Sequence, residues 1–242
     1  MFKLRKIDIG LALVIGLAAA LMMILIGRNL SAENSAFAVV MPYANYLLAV
    51  FPLFCLGVLV ISYWLSLFVK KFIYPHTSFH TKKTGVGVYQ LGKFCLVGGF
   101  NFLLDATILN IFIFATGIAA GFQQSVFKSV SFVVTVVSSY LWNKHWSFNS
   151  QEEHNKKEII SFFFVTIIGF LINVGLDYFF VNLVKPFGSM PPKTWAQFSA
   201  ILAAAAGLVW NFAGLKLIVF KKKSIVLPTQ KEDGELFKKA KA

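Results

Sequence analysis

The chain has 242 residues, of which 57% are hydrophobic and 14% charged, with 27 Phe and a formal charge of +13. A soluble fold of this size cannot hide so much apolar surface, so much of it must face lipid. The charge alone would suit a nucleic-acid binder, but the Lys and Arg positions follow membrane orientation, and no nucleic-acid partner is expected.

About 20 apolar residues span a bilayer core as a helix. The first such run covers 9–26 and follows Lys3, Arg5 and Lys6. Ala36-Phe37-Ala38 resembles a leader-cleavage triplet, but the run exceeds the usual leader core and the triplet lies too far beyond it, so retention is expected. Ala12, Gly16 and Ala20 recur every fourth residue, a stripe that lets another helix approach closely. The second run covers 46–69 and completes an N-terminal pair over 1–73. Residues 74–90 read as a linker, with Gly85-Val86-Gly87 as a turn too short for a phosphate loop.

Four more runs follow at 91–114, 126–142, 159–184 and 195–219, making a four-helix unit over 91–222 before a basic tail at 223–242. No ten-residue alternation suggests a barrel, so the fold class is an all-α integral membrane protein with about six transmembrane helices. Cys55 and Cys95 fall inside runs and read as small packing residues. His76, His80, His145 and His154 lack metal spacing, and no cofactor is expected. Placing both termini in the cytoplasm puts all 23 Lys and Arg residues except Arg28, Lys128, Lys185 and Lys193 on or near the inner side of the cell membrane.

The last four runs repeat. Register offsets of 68 residues pair Lys93 with Ser161, Asn101 with Gly169 and Asp105 with Asn173, while 72 pairs Lys144 with Lys216 and Phe148 with Phe220. Each half is a helical hairpin entering from the same side, so the repeats are parallel, about an axis along the membrane normal.

Ionisable residues inside a membrane are costly and mark sites. Asp105 lies 12 residues past Lys93, roughly 18 Å at 1.5 Å per residue, which is near mid-bilayer. Gly98, Asn101 and Asp105 share one helix face, and Thr166, Gly169, Asn173 and Asp177 form a matching stripe. Lys128, with Ser131, Thr135 and Ser139, is the expected partner of Asp105. At the inner ends Asn143, Lys144 and Lys216 stand among aromatics, an arrangement that serves either as a membrane-interface anchor or as a pocket for an anionic head group. No nucleophile–base pair, paired carboxylates or metal cluster can be assembled, so no enzyme activity is expected.

Residues 90–222 resemble the GtrA-like family of small four-helix membrane proteins. The resemblance rests on Phe94, Val97-Gly98-Gly99, Asn101 and Asp105, on Asn143-Lys144-x-Trp146-x-Phe148, and on Lys216 with Phe220. Lys144 stands where that pattern often has Arg, and Leu215 and Ile218 replace its second Asn and Trp. The resemblance implies a flippase for polyprenyl-phosphate-linked monosaccharide, such as an undecaprenyl-phosphate sugar used for cell-surface polysaccharide or teichoic acid. Lys144 and Lys216 would then attract the phosphate as two sides of one pocket, with Asn101, Asp105 and Asn173 bonding the sugar. The alternative it implies is a non-transporting membrane subunit that recruits or steadies a glycosyltransferase. Membrane lipid is a partner in both, and a homo-oligomer, a dimer or larger, is expected.

Overall fold

A computed structural model describes residues 4–31, 39, 41–69, 71, 80–118, 120–150, 156–184, 186–187 and 192–220. Among these residues every regular element is helical. Helix α1 (Lys6–Ser31) precedes a 3-10 turn (Met41–Tyr46) that feeds α2 (Leu47–Phe68). There follow α3 (His80–Thr116), α4 (Gly121–Trp142), α5 (Lys156–Leu183) and α6 (Pro192–Gly214). The described residues hold six helices long and apolar enough to cross a membrane, and the chain is a multi-pass membrane protein. Large side chains such as Trp64, Phe102 and Phe170 stay exposed on its outside, where lipid replaces the protein contacts a soluble core would supply.

The stripe on α1 is used as a contact. A Cβ on Gly16 would lie 2.5 Å from Pro52 Cα and 2.7 Å from Phe51 O, while Ala12 and Ala20 are fully buried. Both helices of this pair also pack on α3, through a core of Ala12, Ile15, Leu59, Tyr89, Val97 and Trp146. The linker differs from its expectation: α3 already begins at His80, so Gly85 and Gly87 lie in a helix and not in a turn. Glycine weakens a helix by about 1 kcal/mol against Ala, but at Gly87 the missing Cβ has a use, because Lys216 Nζ comes into the space it would fill. The expected tail at 223–242 lies outside the described residues.

The repeat is structural. Helices α3 and α4 form one hairpin, joined by a short connection in which Gly117 and Gly121 take φ of 70° and 79°, a region open to glycine. Helices α5 and α6 form the other, and they cross closely where a Cβ on Gly207 would meet Gly169 O at 3.1 Å and Asn173 Cβ at 3.3 Å. Both hairpins end in a π-helical turn, Asn143–Ser147 and Leu215–Val219, offset by the same 72 residues that relate the sequences. In each, the amide of the closing Phe reaches five residues back: Phe148 N donates to Asn143 O at 2.9 Å and Phe220 N to Leu215 O at 2.7 Å.

Six rings seal the hairpins together at this lysine-rich end. Phe94 packs on Phe212 at 5.7 Å, and the repeat carries that contact onto Phe162 and Tyr140 at 5.3 Å. Phe148 and Phe220 stack on each other at 5.3 Å, on the axis between the copies.

Candidate functional site

The lysine-rich end carries two buried charge clusters that join distant parts of the chain. Asp8 is fully buried at the start of α1. It receives Arg5 Nη2 and Lys93 Nζ at 2.8 Å each, Trp146 Nε1 at 3.0 Å and the Tyr89 hydroxyl at 3.2 Å. The hydrogen bond from Arg5 holds that guanidinium above its already high ordinary value. Two cations and two neutral donors thus satisfy one carboxylate, as burial of a charge requires. The cluster ties the N-terminal helix pair to α3 and to the first π turn.

The second cluster joins the hairpins. Lys144 Nζ lies 2.6 Å from Glu158 Oε1 with both side chains almost wholly buried, and the Tyr140 hydroxyl donates to the same oxygen. Lys144 therefore does not form one side of a shared pocket with Lys216: it is committed to Glu158 between α4 and α5, whereas Lys216 lies against Gly87 on the α3–α6 side. The hairpin arrangement separates them, since the Lys144 side chain reaches Glu158 at the start of α5 and the Lys216 side chain reaches Gly87 of α3. Asn143 is buried beside Lys144, bonding Ser139 O through Nδ2 at 2.9 Å, with Oδ1 unpartnered.

Deeper in the bundle, Asp105 pairs with Lys128 and accepts a 2.7 Å bond from Ser131 Oγ. This pair joins α3 to α4 within one hairpin. Asn101 is buried and accepts from Ser138 Oγ at 2.8 Å, and its Nδ2 has no partner. The expected stripes are therefore divided: Asn101 and Asp105 turn to α4, whereas Asn173, with Gly98, Thr166 and Gly169, faces the space between the hairpins. Periodicity places residues on a face of their own helix; it does not say how far two hairpins splay.

That space is a cavity of about 620 Å³. Phe94 and Gly98 of α3 and Phe132 of α4 form one wall, and Thr166, Gly169, Phe170 and Asn173 of α5 with Gly207 and Asn211 of α6 form the other. Its lining is mostly apolar, and its polar groups come chiefly from the second hairpin. Asn211 Oδ1 is buried without a partner. Its amide packs where a Cβ on Gly169 would stand. A chamber of this size, with few polar groups on apolar walls, has the make-up of small-molecule sites, which run to about 300–1,000 Å³.

Sequence reasoning missed Asp8, Glu158 and Asn211. Asp8 and Glu158 are acidic residues just inside helix N-termini, ordinary positions for a carboxylate, and only the tertiary contacts distinguish them. Asn211 could have been found, because it is an amide within the last apolar run.

Residues 93–220 match the GtrA/DPMS transmembrane-domain family. The chain is also 28% identical over 133 residues to "Uncharacterized membrane protein YngA" of Bacillus subtilis (strain 168), an alignment covering 55% of this chain and 80% of that one. No solved structure matches it. The matched segment runs from Lys93 of the buried cluster to Phe220, which closes the second π turn, so it takes in both hairpins and the chamber between them. The chain belongs to the GtrA/DPMS family, with a membrane function related to polyprenyl-phosphate sugars.

Proposed function

We propose that this protein is a translocase that carries a polyprenyl-phosphate-linked monosaccharide from the cytoplasmic to the outer leaflet of the cell membrane, for addition to a surface glycan. The observation that carries the reading is the inter-hairpin chamber, with its amide and hydroxyl groups at membrane depth. A sugar head group needs hydrogen-bond partners while it crosses hydrocarbon, and Asn173, Asn211 and Thr166 supply donors and acceptors there. The polyprenyl chain needs none and stays among the lipid acyl chains. The excess of Lys and Arg at the end bearing Lys93, Lys144 and Lys216 supports a cytoplasmic placement of that end. Asp105 and Lys128 act as a neutralised structural pair beside the route, not as head-group ligands.

The reading is tested in proteoliposomes with a fluorescent short-chain polyprenyl-phosphate glucose. Asn173→Ala and Asn211→Ala should each slow its transbilayer movement at least tenfold, which corresponds to about 1.4 kcal/mol, with thermal stability retained. Wild-type rates in both variants would remove the chamber from the pathway.

A further inference from the structure

Lys144 and Lys216 are equivalent by the repeat, yet their surroundings differ in charge. The register that superposes the hairpins carries Glu158, the partner of Lys144, onto Gln90, and Tyr140 onto Phe212. One copy thus surrounds its lysine with a carboxylate and a hydroxyl; the other offers a neutral amide and a bare ring. Lys216 forms no ion pair or hydrogen bond among the described residues, and its Nζ stands 5.4 Å from the centre of the Phe212 ring. The ammonium lies against Gly87, and Gln90 follows one turn later on the same face of α3 with its Oε1 buried and unpartnered.

A half-buried ammonium without a counter-charge is unfavourable unless an anion from outside the fold supplies one. Only Nε2 of the Gln90 amide has the N–H donors that a phosphate oxygen accepts; the unpartnered Oε1 is an acceptor and takes no part in holding an anion. The position also fits the chamber. Phe212, beneath Lys216, packs on Phe94, which lines the chamber. Asn211 lies five residues before Lys216, about 7 Å along a helix.

We propose that Lys216 and Gln90 form a single anion site that takes the phosphate of a lipid head group, and that Lys144 is a structural cation already neutralised by Glu158. This inference rests on the translocase reading for the identity of the lipid, but the site itself depends on charge and geometry alone.

The test measures binding of farnesyl phosphate to the full chain in phosphatidylcholine nanodiscs, with inorganic phosphate as competitor. Lys216→Gln should weaken binding at least tenfold, and Lys216→Arg should retain it. Gln90→Glu, which supplies the carboxylate of the other copy, should weaken it as much as Lys216→Gln. A double replacement, Lys144→Met with Glu158→Leu, should bind within twofold of the wild type. Competition by equimolar inorganic phosphate would identify the free ion as sufficient ligand, and lack of competition would identify the lipid phosphate; each supports the site. Unchanged binding in Lys216→Gln, or an equal loss in the Lys144/Glu158 double variant, would overturn it. If farnesyl phosphate binds as expected while no polyprenyl-phosphate sugar crosses the bilayer, the anion site stands and the translocase reading fails.

Discussion

Trp146 donates its indole N–H to Asp8 at 3.0 Å across 138 residues of sequence, so the first π turn and the first transmembrane helix share one buried carboxylate. The N-terminal helix pair is therefore fastened to the four-helix unit at a polar point as well as by apolar packing. Removing the charge leaves Arg5 and Lys93 facing each other without it.

Asp8→Asn should destabilise the protein by about 3–5 kcal/mol, the cost of breaking a buried ionic cluster on one side. For a chain of this size that is a fall in Tm of roughly 6–20 °C. Thermal unfolding in detergent measures it, and a Tm within 2 °C of the wild type would mean that the cluster contributes little to stability.

The Lys144–Glu158 pair makes a sharper test. Glu158→Gln leaves a buried ammonium with only a neutral partner and should cost about 3 kcal/mol, whereas replacing both residues by Met and Leu should restore most of it, because an apolar pair of similar volume avoids desolvation. A double-mutant cycle reads the coupling. Additive losses would mean that the two side chains do not interact.

Much of this fold is legible in the sequence. Six helices follow from apolar length, and the twin hairpins follow from offsets that the π turns then obey to the residue. The pairing of Asp105 with Lys128 is legible too, because both lie in one hairpin, where helical depth fixes who meets whom. The start of α3 is not legible: the polar, glycine-containing stretch from His80 has a loop's composition and becomes helical beside the rest of the bundle. The burial of Asp8 is hidden for a different reason, since it depends on residue 8 meeting residue 146 in space, and nothing periodic connects them. The division of the Asn101, Asp105 and Asn173 stripe likewise depends on the angle between hairpins.

Two glycines of the chamber should behave in opposite ways. A Cβ on Gly98 meets nothing within 4 Å, so Gly98→Leu should fold with near-normal stability while its side chain fills the chamber and reduces sugar-lipid movement at least tenfold. Gly169→Ala collides with the Asn211 amide and should lose about 1–3 kcal/mol through overpacking. Parallel Tm and flux measurements separate the two effects. Full flux in a stable Gly98→Leu protein would show that the head group does not use this space.

Lys128→Met strands the Asp105 carboxylate deep in a helix, at an insertion cost of about 2.5–3.5 kcal/mol. Membrane yield and Tm should both fall, and adding Asp105→Asn should recover them. Flux per correctly folded molecule should change less than threefold in the double variant, because neither residue lines the chamber.

The unequal charge of the two copies also has a mechanical side. On the α4–α5 edge, Lys144, Tyr140 and Glu158 bolt one hairpin to the other through an ion pair and a hydrogen bond. On the opposite edge, Phe94 and Phe212 meet as rings tilted by 54°, an apolar contact that can slide without breaking any polar bond. The molecule is built like a door hung on one jamb: a swing of the hairpins that keeps this ion pair and hydrogen bond has to pivot about the bolted edge and part α3 from α6, beside Lys216.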